Sequence, residues 1–448
     1  MQYNLMVALN ILRSPDSGVT SNNVCEAKEM RLGHKLFVSA VVALSSLAPV
    51  AWGVERVYAG SRDARDLRLW LADQPRGAGI RVGGIVWQPT VPVGLRYDDN
   101  IFARDLRKDD DGLFSVTPSL LAKTHYGEHE LAISAYSRSD FGFEHSRQDN
   151  TEYGGSARAK MQLLSWLDFV ASYSFDHLAE DWDSPDIPLD AAEQPEVEQV
   201  GCNIGLQAHL GRWATGLNFM CTDVTYNDVA RLGGGEINER FRNRDIVDVF
   251  IDFSYQLTNT LQPYIQLVWS DNGYDDWPID RDGGGKSAFL GFRFQSGEAL
   301  DGNLYGGYVF RNGDDDDFRL KEAEGVGFGA EFNWRVNEQL GLHLDALREI
   351  EEATTDLESG RFTTTVALHA DHKMTGNLTL QGYFGYEDDE YVGTPREENR
   401  YTAGLAVLGT FGQGLYSRLA YRYDTRDSNF IGRSYDRNQI LLTVGYKR

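Results

Sequence analysis

The chain has 448 residues, with 46 Gly, 22 Phe and 22 Tyr but only 12 Pro, a hydrophobic share of 42% and a formal net charge of −24. That charge excludes a nucleic-acid binder, whose phosphate contacts need a basic surface. Beyond residue 53 no run approaches the 18 or so apolar residues of a membrane helix, so membrane insertion would require a closed β-barrel.

In chain order, residues 1–29 carry no targeting pattern and read as an upstream extension. Residues 30–53 read as a secretory signal peptide: Arg31 and Lys35 precede the apolar run 36–50, and Ala51, Trp52 and Gly53 form a small-residue cleavage site. Residues 54–84 read as a periplasmic N-terminal segment or a small plug, with a short helical candidate at 63–74 that Pro75 ends.

From residue 85 to residue 448 the pattern is strict alternation. Ile85, Trp87, Val91, Val93, Leu95 and Tyr97 share one face of the first strand. The stretch 200–223 reads as a complete hairpin. With Gly211 and Arg212 in a two-residue turn, Leu210 pairs with Trp213. Leu206 then faces Leu217, Ile204 faces Phe219 and Cys202 faces Cys221, while Gln207, Asn203 and Asn218 occupy the opposite, polar face. In an exported chain the facing Cys202 and Cys221 are a disulfide candidate, with two buried thiols as the alternative. The same alternation test, continued to Tyr446, gives eighteen strands, among them one whose apolar face is Phe362, Val366 and Leu368.

A soluble sandwich also alternates, so the connections have to decide. After odd strands they are long and acidic, as at 107–112, 179–198, 224–243, 312–317, 387–399 and 424–438; after even strands they are short, such as LLSW, LGR and VNEQ. That sorting predicts an all-β fold: a transmembrane antiparallel up-and-down β-barrel of about 18 strands, with long extracellular loops and short periplasmic turns. The setting is the outer membrane of a Gram-negative bacterium, with its lipid and lipopolysaccharide as neighbours. Tyr97, Trp269 and Tyr423 toward the long loops, and Trp166, Trp213 and Trp334 toward the short turns, read as two interfacial girdles.

Residues 81–102, RVGGIVWQPTVPVGLRYDDNIF, carry Arg81-Val82-Gly83, Pro89, Val93-Gly94 and the run Tyr97-Asp98-Asp99-Asn100-Ile101-Phe102. On these residues the chain resembles the outer-membrane family called putative β-barrel porin 2. The resemblance implies an association with exopolysaccharide secretion and hence with periplasmic polysaccharide-export partners.

The face opposite each apolar one would line the lumen. Arg96, Lys123, Arg138, Arg158, Lys160, Arg418 and Arg422 form a basic wall, with Asp168, Asp176, Asp248, Asp252, Asp345 and Asp371 opposing it. Tyr136, Tyr264, Tyr305, Tyr383 and Tyr416 would face the same space, where rings can stack on sugars. The alternative is that these residues are polar because the lumen is wet, and that ion pairs brace the barrel. The acidic clusters 109–111, 314–317 and 387–390 lack the ligand spacing of a calcium loop, and no catalytic, metal or cofactor motif is visible. Three functions follow: a conduit for an extracellular polysaccharide, a passive diffusion porin for small hydrophilic solutes, or a structural or adhesive barrel with a closed lumen.

Overall fold

The computed structural model describes residues 78–275, 282–313, 322–351, 358–412 and 414–447. The upstream extension, the signal peptide, the helical candidate at 63–74 and the acidic cluster at 314–317 lie outside the described residues.

Eighteen strands make one antiparallel sheet. They are β1 (Ile85–Asp98), β2 (Asp111–Val116 continued by Ser119–Tyr126), β3 (His129–Gly142), β4 (Asn150–Leu164), β5 (Leu167–Ala179) and β6 (Glu196–Leu210). Next come β7 (Trp213–Tyr226), β8 (Arg244–Tyr255), β9 (Leu261–Tyr274), β10 (Gly283–Ser296), β11 (Leu300–Gly313) and β12 (Ala323–Arg335). The last six are β13 (Leu340–Glu351), β14 (Gly360–Lys373), β15 (Leu378–Val392), β16 (Glu397–Phe411), β17 (Leu415–Ser428) and β18 (Tyr435–Lys447). Each pairs with its neighbour in sequence, and β18 returns to β1 with Leu442 opposite Leu95 and Ile440 opposite Tyr97. The sheet therefore closes and leaves no edge, the condition for a β-structure to sit in lipid.

The alternation gives this closed sheet its inside and outside. Leu95, Leu217, Leu290 and Leu405 stand exposed on the outer surface, while their neighbours Gly94, Gly216, Gly291 and Ala406 turn inward. With Leu405 62% exposed and its outward neighbours also apolar, the outer surface is a continuous apolar belt of the kind that faces hydrocarbon. The β6–β7 hairpin has the expected register throughout, with Gly211 at φ +68° in the turn. Its Cys202 and Cys221 are joined as a disulfide, with α-carbons 5.1 Å apart.

Two expectations need correction. Segments 387–399 and 424–438, read as loops, are mostly strand: β15 runs to Val392, β16 begins at Glu397, β17 runs to Ser428 and β18 begins at Tyr435. The strands outrun their greasy stretches because pairing continues above the membrane, where the outward face no longer has to be apolar. Phe362, expected on the lipid face, is 8% exposed and packs with Phe250, Val268, Phe289 and Val309. The β12–β13 ladder ends at Phe328 and Arg348, whereas β13 and β14 stay paired up to Glu351 and Arg361. Beyond Arg348 that hairpin parts from β12, and the Phe362 ring fills the gap beside Gly325.

The five tyrosines expected to line the lumen each lie directly opposite a glycine of the next strand: Tyr136 with Gly154, Tyr264 with Gly291, Tyr305 with Gly329, Tyr383 with Gly404 and Tyr416 with Gly445. A Cβ at Gly291 or Gly445 would fall 2.4 Å from the facing ring, so glycine is what lets each ring lie flat on the wall.

Candidate functional site

The site is the long-loop mouth of the barrel, and its central part is the connection between β5 and β6, residues 180–195. This segment is a strap across the lumen. At its root Glu180 is 2% exposed and accepts hydrogen bonds from Arg242 at 2.8 and 3.0 Å and from Ser184 at 2.7 Å. Arg147 donates to the carbonyls of Ala191 and Ala192 at 2.7 and 2.6 Å. Trp182, Ile187 and Ala191 pack with Ile101, Phe102, Leu113 and Val229, a small apolar core shared by three loops. The Phe102 and Trp182 rings meet edge to face at 5.0 Å.

The strap's middle is held by β14, β16, β17, β18 and the tight connections between them, on the far side of the ring. Asp183 accepts from Arg400 and from Arg437, each at 2.5 Å, and its carbonyl accepts from Arg426 at 2.8 Å. The Pro185 carbonyl accepts from Arg396 at 3.0 Å, Asp186 from Arg361 at 3.0 Å, and the Ile187 carbonyl from Arg433 at 2.7 Å. Six arginines thus grip four residues within the stretch 183–187. Their charge is matched by buried carboxylates: Asp424, 0% exposed, accepts from Arg400 at 2.6 Å and from Arg437 at 2.9 Å, and Glu398 accepts from Arg396 at 2.7 Å.

The electrostatics follow from that crowding. Burial alone would favour the neutral acid at Asp183, but the Arg400 and Arg437 guanidiniums hold its carboxyl well below the usual carboxylate range. Burial, with Arg426 and Arg396 nearby, pushes Arg433 down to about 10. This part of the lumen is a compensated ionic clamp in which each buried charge has partners.

The run Tyr97 to Phe102 has a structural explanation at this mouth. Asp98 accepts from Gln439 at 2.6 Å and Asp99 from the Asn438 backbone and side chain at 2.6 and 2.7 Å, fastening β1 to β18. Asn100, fully buried, donates to the carbonyls of Arg104 and Asp436, and Ile101 and Phe102 then enter the apolar core beneath the strap.

Of the residues expected to line the lumen, Arg422 joins the clamp, donating to Asp424 at 3.3 Å. The others are distributed around the wall. Arg138 pairs with Asp140 at 2.6 Å, Lys160 with Asp168 at 3.3 Å, and Arg418 donates to Gln381 at 3.0 Å. Arg96, Lys123 and Arg158 sit half-buried on β1, β2 and β4. Asp248 is buried opposite Met220 and Ser270, and Asp252 overlies Gly216. Tyr136 donates to Asp176 at 2.8 Å and Tyr264 to Asn303 at 2.9 Å, while the Tyr383 ring meets His369 at a tilt with centroids 4.7 Å apart.

Sequence reasoning missed the strap and its clamp: Asp183, Asp186, Arg361, Arg396, Arg400, Arg426, Arg433 and Arg437. A signal was present. The segment DWDSPDIPLD at 181–190 is acidic and proline-stiffened, and these arginines crowd into 361–437 of a strongly acidic chain.

Among curated proteins, none matches the chain significantly. Among solved structures, it is similar to OccK3 (OpdO) of Pseudomonas aeruginosa, at 13% identity over 81% of this chain and 96% of that one, with a TM-score of 0.43. OccAB4 of Acinetobacter baumannii gives 12%, 81%, 98% and 0.42 by the same measures. A BenF-like porin from Pseudomonas fluorescens Pf-5 gives 10%, 81%, 99% and 0.44. The family model described as Putative beta-barrel porin 2 matches residues 74–448, nearly the whole barrel and its mouth; the chain belongs to that family and is a porin-like β-barrel of the Gram-negative outer membrane.

Proposed function

We propose that the chain is a passive diffusion channel for small hydrophilic solutes, with an aperture set by the strap. The observation that carries this reading is the clamp of six arginines on residues 183–187, which fixes a folded segment across a barrel otherwise wide enough for an aqueous channel. A braced constriction of this kind admits solutes by size and orients them by the charges around it. Lipopolysaccharide would surround the extracellular strand ends.

Export of a polysaccharide, which the family resemblance suggests, is the second reading. It would require the strap to swing clear of the mouth and periplasmic export partners to feed the tube. Liposome swelling with sugars of graded size separates the two. The wild-type barrel is expected to pass mono- and disaccharides and to exclude longer oligosaccharides, and deletion of residues 182–190 should admit the longer ones. Passage of long chains by the wild type would favour the polymer conduit. No swelling from either protein would leave only a closed structural barrel.

A further inference from the structure

We propose that Glu331, His343 and Asp345 form a binding site for a zinc-type divalent cation on the lumen wall, close to the short-turn mouth. β12 ends at Arg335 and β13 begins at Leu340, so all three residues lie within a few positions of the turn that joins these strands. Their side chains are on the lumen side. Trp334, Leu368 and Phe384 are exposed on the outer surface, so Asn333, His369 and Tyr383, each one residue away, turn inward. The His343 ring stands 5.9 Å from His369, which in turn contacts Tyr383.

One imidazole nitrogen and two carboxylate oxygens, one from each residue, all lie within 4.8 Å of one another. Two further observations point to a cation. Glu331 and Asp345 are directly opposed across the β12–β13 ladder, so two carboxylate oxygens and one imidazole nitrogen converge on one patch of wall from paired strands. Asn333 Oδ1 lies 2.6 Å from His343 Nδ1; since a carbonyl oxygen only accepts, the imidazole donates from Nδ1. Its Nε2 faces the Asp345 carboxylate it touches, so the Asn333 contact fixes the ring as an outer hydrogen bond fixes a metal-binding histidine, and a cation entering there would displace the Nε2 proton. A mixed set of one nitrogen and two oxygens suits zinc better than magnesium or calcium, which favour more oxygens.

The test is calorimetric titration of the purified, EDTA-stripped barrel with ZnCl2 near neutral pH. Wild type is expected to bind one zinc per chain. His343→Gln and Asp345→Asn should each weaken binding on the order of a hundredfold, and Asn333→Ala about 10–100-fold, the range for an orienting group. Glu338→Gln, in the exposed turn, should bind as wild type does. The absence of saturable binding, unchanged affinity in His343→Gln, or displacement of zinc by an equal concentration of CaCl2 would overturn the proposal. X-ray absorption on zinc-loaded wild type needs no variant: imidazole back-scattering is the expected result, and an all-oxygen shell would contradict it.

Discussion

Asp183 is the residue on which the strap most depends, because both of its ion-pair partners, Arg400 and Arg437, are themselves buried. Removing one member of a buried pair costs about 3–5 kcal/mol by leaving charge uncompensated. Asp424 remains beside both arginines, so Asp183→Asn should weaken the closed strap by about 3 kcal/mol, the lower end of that range. The loss would be read as faster hydrogen exchange across 181–192 with the strands still protected. The pH dependence has a definite sign. A carboxyl held below its ordinary value contributes stability above the unfolded pKa of about 3.9 and loses it as pH falls through the lower folded value. Strap protection should therefore persist on acidification to about pH 4 and decline progressively below it, because Asp183 in the closed strap takes up its proton only well below the usual carboxylate range. A release near neutral pH would contradict this assignment. Elsewhere on the wall, Gly291→Ala would drive a methyl into the Tyr264 ring, and overpacking of that kind costs about 1–3 kcal/mol in a urea titration. Such a cost should largely vanish in the Gly291→Ala, Tyr264→Ala double variant.

Strand elements were legible because lipid imposes an unambiguous code. Leu206, Ile204 and Phe219 had to share a face, and once Gly211 set the turn the whole register of β6 and β7 followed. The disulfide, for which that register made Cys202 and Cys221 a candidate pair, joins residues 19 apart in sequence. Closing a loop of that length restricts the unfolded chain by about 3 kcal/mol, so reduction should lower the urea stability by that amount while the barrel stays folded. An unchanged midpoint after reduction would remove any stabilising role for the bridge. The ends of the elements were less legible. Arg400, Arg426 and Arg437 look like loop residues because apolar alternation has stopped, yet pairing continues and turns them inward. The strap was invisible for a different reason: a segment whose partners lie more than 170 residues away, as Asp186 and Arg361 do, has no local periodicity to reveal where it docks.

At the scale of the whole molecule, a closed eighteen-strand sheet with hydrocarbon-facing leucines and an inward polar wall is a channel scaffold. Its mouth is crossed by the strap and ionically clamped. The family motif near residue 100 belongs to the same construction, since it fastens the β1–β18 seam and supplies Phe102 to the core under the strap. The most direct test is single-channel conductance in planar bilayers of the wild type and an Asp183→Asn, Asp186→Asn double variant. The double variant should conduct more than the wild type and with larger open-state fluctuations, since it loses the two strap carboxylates whose charge pairs with Arg361, Arg400 and Arg437. Equal conductance in the two proteins, or none in either, would show that the strap does not set the aperture.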